Sequence, residues 1–107
     1  MANHRKHRGY KTQRNVADYL FDRGYTEARS IGAGETGDDI QGVPFSIEVK
    51  ARSNFQPLQW LKQVQDRYKG TFKPLQMVVI RFNGQGDYAG PYGVLMTFEQ
   101  VLSLIHI

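Results

Sequence analysis

The sequence lacks cysteine altogether, and no stretch of its 107 residues has the apolar character of a membrane span or a secretory signal. Without cysteine the chain has no disulfide, no thiolate zinc site and no cysteine nucleophile. The lack of a membrane or export segment favours a soluble cytoplasmic protein. The histidines His4, His7 and His106 form no metal-ligand motif. The length predicts a single domain.

Positive charge is concentrated in the first three quarters of the chain. All 14 lysines and arginines fall within residues 1–81, together with 8 of the 10 acidic residues, and five basic residues precede the first acidic one, Asp18. A basic run of this kind is typical of proteins that bind the phosphate backbone of nucleic acids. A solvated basic tail fits the run alone equally well.

The hydrophobic pattern predicts an α/β fold in which helices flank a mixed sheet, in the order α-β-β-β-α-β-β-α. Residues 1–11 show no periodicity and are predicted to form a flexible basic arm, and residues 12–107 to form the domain. Helices are expected over 13–23 with Thr12 as N-cap, from Pro57 to about Gly70, and after the capping residue Thr97. Strands are expected over 25–31, before the Gly42 turn in the segment that carries Asp39, and over 45–50, 75–82 and 92–96, of which 75–82 is central and 92–96 lies at an edge.

A glycine-rich segment precedes the second strand. Gly32-Ala33-Gly34-Glu35-Thr36-Gly37 formally matches the pattern G-x-G-x-x-G. The dinucleotide-binding fingerprint needs a helix that opens on the last glycine, and Asp38-Asp39-Ile40 followed by another turn does not provide one. We therefore expect a flexible glycine loop that lets a nucleic-acid backbone approach closely, and not a nucleotide cradle.

The chemically reactive side chains are concentrated in residues 37–50. The strand over 45–50 alternates, so Glu48 and Lys50 point to its polar side. If the turn at Gly42 closes tightly, Asp39 lies across from Glu48. Two converging carboxylates repel each other unless a cation lies between them, and Mg²⁺ is the expected ion. The alternative is a surface hairpin on which Glu48 and Lys50 form an ion pair.

These residues resemble a known nuclease signature. Asp39-Ile40 followed by Ile47-Glu48-Val49-Lys50 is similar to the D…(D/E)-x-K motif of the PD-(D/E)xK, or restriction-endonuclease-like, nucleases, with Asp38 in place of the usual proline. With Gln13-Arg14-Asn15-Val16, Gly24-Tyr25 and Arg29 added, the order and spacing resemble those of archaeal-type Holliday junction resolvases and similar phage proteins. The resemblance covers residues 11–61.

The resemblance implies a homodimeric, metal-dependent DNA endonuclease with a restriction-endonuclease-like core, acting on branched DNA such as Holliday junctions in a prokaryotic or phage-infected cell. Asp39, Glu48 and the carbonyl of Val49 would bind Mg²⁺, with Mn²⁺ as a substitute. Lys50 would orient the attacking water and stabilise the transition state. The basic residues expected to contact DNA are Arg5, Lys6, Arg8, Lys11, Arg14, Arg29, Arg52 and Lys62.

Gln13 departs from the family pattern, in which a glutamate takes its place in the first helix. An amide brings no negative charge and cannot act as a general base. Gln13 lies on the apolar side of the predicted helix, where it either packs or reaches the site, and it is kept as a candidate catalytic residue. Glu35 and Asp38 are candidates to supply the missing carboxylate. The alternatives to a junction resolvase are a DNA-binding module with weak or no cleavage, and a nicking or flap-type nuclease.

Three aromatic residues outside the motif are candidates for the dimer surface, namely Trp60, Tyr88 and Tyr92. Trp60 lies off the apolar stripe of its predicted helix. For Trp60, partial burial in the core is favoured over stacking on a base.

Overall fold

The computed structural model describes residues 2–31, 38–51, 54–71 and 75–105, and the side chains within them except those of residues 2–8 and 67–71. Within these ranges the chain forms three helices and five strands in the predicted order. They are α1 (Ala2–Asp22), β1 (Arg29–Ser30), β2 (Ile40–Gln41), β3 (Ser46–Lys50), α2 (Pro57–Thr71), β4 (Gln76–Ile80), β5 (Gly93–Leu95) and α3 (Phe98–Ile105). None of the described helices is long and apolar enough to span a membrane.

The main sheet is mixed, as predicted, and β4 is its central strand. β3 pairs with β4 in parallel, with Glu48 beside Val78 and Lys50 beside Ile80, and β5 pairs with β4 antiparallel at the edge. The parallel pair is joined through α2, as such pairs require a long crossover. β1 and β2 form a separate antiparallel pair. The α/β class and the mixed sheet are thus confirmed.

Helices cover both faces of the main sheet. On one face, Val16 and Ala17 of α1 pack in a cluster with Ile47 and Val49 of β3. On the other face, Trp60 and Val64 of α2 pack with Val78 and Ile80 of β4. Since side chains alternate along a strand, Glu48 and Lys50 lie on the face that α2 covers. Every residue of β3 is buried in consequence.

The first helix begins earlier than the sequence suggested. It starts at Ala2, so the predicted start at Gln13 is wrong, and residues 2–11 of the predicted flexible arm belong to the helix. Thr12 is not an N-cap but a fully buried residue within α1, where its Oγ1 accepts a hydrogen bond from Arg81 Nη1 at 3.3 Å. Lysine and arginine are good helix formers, and the first turns of α1 therefore need no apolar stripe.

The first helix ends at Asp22, one residue before the predicted end, and Gly24 is its C′ residue as predicted. Gly24 has φ 106°, its N–H donates to the Phe21 carbonyl, and the Tyr25 N–H donates to the Leu20 carbonyl. This pair of bonds is a Schellman motif. A further turn joins Ala28 N–H to the Tyr25 carbonyl. These turns occupy most of the predicted strand 25–31, which shrinks to Arg29–Ser30.

Residues 83–91 form the predicted loop, and hydrogen bonds from Arg81 anchor its base. The guanidinium donates from Nε and Nη2 to the Gln85 carbonyl at 3.1 and 3.0 Å. Gln85 Nε2 donates to the Pro91 carbonyl at 2.7 Å, and the Tyr92 hydroxyl donates to the Gly86 carbonyl at 2.7 Å. Arg81 therefore joins this loop to α1 through Thr12.

The last helix, α3, meets the sheet through polar groups. Its predicted cap is confirmed, since Gln100 N–H donates to Thr97 Oγ1 at 3.2 Å. Gln100 Oε1 accepts from the Gln76 backbone N–H at 3.0 Å, and Gln100 Nε2 donates to Gln76 Oε1. None of the eight residues of α3 is buried. Its apolar side chains, among them Phe98 and Ile105, are exposed.

Candidate functional site

Glu48 and Lys50 form a buried ion pair on the α2 side of β3. Lys50 Nζ lies 3.6 Å from Glu48 Oε1 and donates a hydrogen bond to Gln63 Oε1 at 3.1 Å. The ammonium also lies 5.8 Å from the centre of the Trp60 ring. The two residues are only 3% and 9% exposed, so the alternative of an ion pair on a surface hairpin is wrong. The predicted alternation, with both side chains on one face, is confirmed.

Asp39 is fixed against β3 by two hydrogen bonds on either side of Glu48. Its backbone N–H donates to the Ile47 carbonyl at 3.1 Å, and Val49 N–H donates to its Oδ2 at 2.8 Å. The turn at Gly42, with φ 83°, brings the chain back into this position. The carboxylate of Asp39 is therefore held beside the segment that carries Glu48, while β2 itself pairs with β1.

Asp38 has a structural partner. It is buried, and its Oδ1 accepts a hydrogen bond from the Ser46 hydroxyl at 2.5 Å. Gln41 Nε2 donates to its carbonyl at 2.9 Å. These contacts fix the start of β2 on the start of β3. Glu35, the other candidate for an additional carboxylate, lies outside the described residues.

Gln13 lies on α1, whereas the ion pair lies beneath α2. Its Oε1 is buried and has no hydrogen-bond partner among the described residues, and its amide thus faces inward. Val16 and Ala17, one turn further along α1, pack on the Ile47 and Val49 face of β3. α1 therefore covers the face of β3 opposite to the ion pair.

The basic residues expected to contact DNA fall into two groups. Lys11, Arg14, Arg29 and Lys62 have exposed side chains. Lys11 forms an ion pair with Asp87 at 3.2 Å. The remaining four lie outside the described side chains, namely Arg5, Lys6, Arg8 and Arg52, and so does the glycine loop over 32–37.

The donor set of the site suits a hard divalent cation. Among the described side chains, no three acidic or histidine residues come together. Asp39 and Glu48 supply two carboxylates on neighbouring backbone segments, and Mg²⁺ in proteins is commonly bound through one or two carboxylates while it keeps several waters. An ammonium beside such a pair can stabilise negative charge that develops on a phosphate.

Comparisons with protein-family models, with curated proteins and with solved structures found no match.

Beside Lys50 the structure forms a cavity of about 240 Å³ that the sequence did not reveal. Its lining consists of Lys50, Asn54, Gln56, Gln59, Trp60 and Gln63. The sequence held part of the evidence for this cavity, since Gln56, Gln59 and Gln63 recur at the spacing of one helix face. The preference for burial of Trp60 is confirmed, because that ring is 4% exposed. Tyr92 is buried as well, and of the three aromatic candidates for a dimer surface only Tyr88 is exposed.

Proposed function

We propose that this chain is a metal-dependent DNA endonuclease that hydrolyses phosphodiester bonds in branched DNA. The observation that carries the proposal is the burial of Glu48 and Lys50 side by side, with Asp39 fixed against the same strand. Burying two charges costs several kcal/mol per ion, and a well-packed apolar pair often serves stability as well or better. Charged groups kept in such a place are candidates for a functional site.

Asp39, Glu48 and the carbonyl of Val49 are the groups that would hold Mg²⁺, or Mn²⁺ in its place. When bound, the ion would supply a water of lowered pKa and would neutralise charge on the scissile phosphate. The hydrogen bond from Val49 N–H to Asp39 Oδ2 fixes the orientation of that carboxylate. That carboxylate would therefore be oriented before any substrate arrives, and electrostatic catalysis depends on such preorganised groups.

Lys50 is the residue assigned to the phosphate. Its ammonium has three donors, and contacts with Gln63 and Glu48 hold it in one place. A donor directed at a phosphate oxygen would gain strength as negative charge develops there. Because Lys50 is buried beneath α2, its attraction for that charge is less screened by water than on an open surface.

The wider architecture supports a restriction-endonuclease-like core. The order of elements and the parallel β3–β4 pair joined by α2 are compatible with it. Exposed Lys11, Arg14, Arg29 and Lys62 would contact the DNA backbone through electrostatic attraction. The exposed apolar side of α3 is the surface assigned to a homodimer, which two symmetric incisions would require. We place this activity in the cytoplasm of a prokaryotic or phage-infected cell.

A DNA-binding module without efficient cleavage is the second candidate. Gln13 favours it, because an amide stands where similar nucleases have a glutamate, and because α1 covers the face of β3 opposite to the ion pair. In this case the chain would bind branched DNA equally well with or without a divalent cation. A nicking or flap-type nuclease would share the site and differ only in the substrate it cuts.

The test is cleavage of end-labelled four-way junction, flap and linear duplex, each with Mg²⁺ or with EDTA. The variants are Glu48→Gln, Gln13→Glu and, as a matched control, Glu27→Gln, which makes the same chemical change at an exposed carboxylate. We expect Mg²⁺-dependent cutting of the junction that Glu48→Gln reduces on the order of 10²- to 10³-fold and Glu27→Gln leaves unchanged.

Cutting that survives in EDTA or in Glu48→Gln would refute the assignment of the site. Tight junction binding without any cutting would establish the binding module instead. Faster cutting by Gln13→Glu would show that the missing carboxylate limits the rate, whereas selective cutting of the flap would identify the nicking or flap-type enzyme.

A further inference from the structure

The cavity beside Lys50 has a chemical character of its own. Of the described residues that line it, one, Lys50, is charged, and four carry carboxamides: Asn54, Gln56, Gln59 and Gln63. Its volume of about 240 Å³ leaves room for a single heterocyclic ring. Apart from Lys50, which contacts Glu48 and Gln63, the polar groups of the lining are neutral. A compact neutral group with several hydrogen-bonding atoms fits the four carboxamides.

Carboxamides suit the edge of a nucleobase. Each presents a carbonyl acceptor and an amide with two donors, and the bases carry the same two kinds of atom side by side. Asparagine and glutamine bind base edges in pairs of hydrogen bonds for this reason. Gln56, just before α2, and Gln59, in its first turn, are exposed, so their amides can reach a base without a change in the fold.

A group of aromatic rings adjoins the cavity through Trp60, which forms part of the lining. Phe55 stands edge-on to Trp60, with ring centres 5.4 Å apart, and is 55% exposed. Phe82 lies 6.4 Å from Phe55 and is also exposed. A flat ring open to solvent provides a stacking platform for an unpaired base. Here two exposed phenylalanines lie side by side.

We propose that this cavity, lined by Asn54, Gln56, Gln59 and Gln63 beside Lys50, binds one unpaired nucleobase of the DNA substrate, with Phe55 as its stacking partner. The inference rests on the proposed nuclease function and adds to it a reason for preferring branched DNA. A continuous duplex keeps its bases stacked and paired, whereas a junction or flap offers an unpaired base at the point where strands separate. The base next to the scissile phosphate would enter the cavity as that phosphate reaches Lys50.

The proposal is tested by binding in EDTA, where a metal-dependent nuclease cannot cut. The probes are a labelled short duplex with a single-stranded thymidine tail, the same duplex with an abasic tail, and the blunt duplex, and binding is followed by fluorescence anisotropy. We expect the thymidine tail to bind on the order of tenfold tighter than the abasic tail. Phe55→Ala and Gln59→Ala should each remove most of that difference, and Phe55→Trp should retain it. The matched control is Gln65→Ala, since Gln65 is exposed on α2 and does not line the cavity.

Equal affinity for the thymidine and abasic tails would overturn the inference, as would an equal loss in Gln59→Ala and Gln65→Ala. Circular dichroism of each variant excludes unfolding as the cause of a loss. Each of the two proposals can be refuted while the other stands. Base-dependent binding without cleavage of any substrate would refute the nuclease and leave the base site, whereas Mg²⁺-dependent cleavage with no base-dependent binding would do the reverse.

Discussion

Replacing Gly42 with alanine is predicted to destabilise the fold by about 2–5 kcal/mol. Gly42 has φ 83°, a conformation that costs an L-residue roughly 1–2 kcal/mol. A Cβ at this position would also lie 1.9 Å from the Glu27 carbonyl oxygen, about 1 Å closer than such atoms tolerate. Relief of that clash requires a backbone shift, for which overpacking costs of about 1–3 kcal/mol are typical. The turn that holds Asp39 on β3 would move with it.

Gly24 supplies the matched control. It has φ 106°, yet a Cβ there would meet nothing within 4 Å. Gly24→Ala therefore isolates the conformational term and should cost about 1–2 kcal/mol. Thermal unfolding followed by circular dichroism separates the two, because 1 kcal/mol shifts Tm by roughly 4–8 °C in a domain of this size. Equal shifts for the two variants would refute the close approach of Gly42 to Glu27.

Three further outcomes are expected. Ser46→Ala removes a buried donor to the Asp38 carboxylate and should cost about 1.5–3 kcal/mol in urea unfolding; a loss near zero would contradict this. The hydrogen bond and charge of the Lys11 ammonium hold the pKa of the Asp87 carboxyl below its ordinary value, so their pair stabilises the fold at neutral pH and this contribution is lost as pH falls through the lowered pKa. The loss of Tm in Asp87→Asn should accordingly be largest at neutral pH and shrink as the carboxyl becomes protonated, whereas a loss that is independent of pH would refute the linkage. Ile105→Glu should convert a dimer to a monomer in sedimentation, and a monomeric wild type would refute the homodimer.

The sequence predicted secondary structure most reliably where the spacing of apolar residues is compatible with only one kind of element. Strand β3 follows from strict alternation, and β4 from a continuous apolar run that only a central strand can bury. The position of Asp39 beside Glu48 could be predicted because a short turn with a glycine leaves the chain few ways back. Helix α2 begins at Pro57, as the preference of proline for the first helical turn indicates.

The failures arise where packing between distant segments decides the structure. Threonine is a common N-cap residue, yet Thr12 lies inside α1, where it accepts a hydrogen bond from Arg81, a residue far along the chain. The basic run before Thr12 has no apolar stripe, so hydrophobic periodicity cannot reveal a helix there. The carboxamide cavity was missed because it depends on how α2 crosses β3, which places Gln63 against Lys50. No local pattern encodes that crossing.

The polar attachment of α3 has a consequence for hydrogen exchange. An eight-residue helix is too short to be stable alone in water, and α3 rests on the sheet through Gln100 and Gln76 rather than through buried apolar side chains. Its detachment exposes little new surface, and its amides should exchange through local opening at a free energy well below that of global unfolding. The amides of β4 should exchange only when the whole domain unfolds. Slower hydrogen exchange of the α3 amides would then show, residue by residue, that a binding partner covers Phe98 and Ile105.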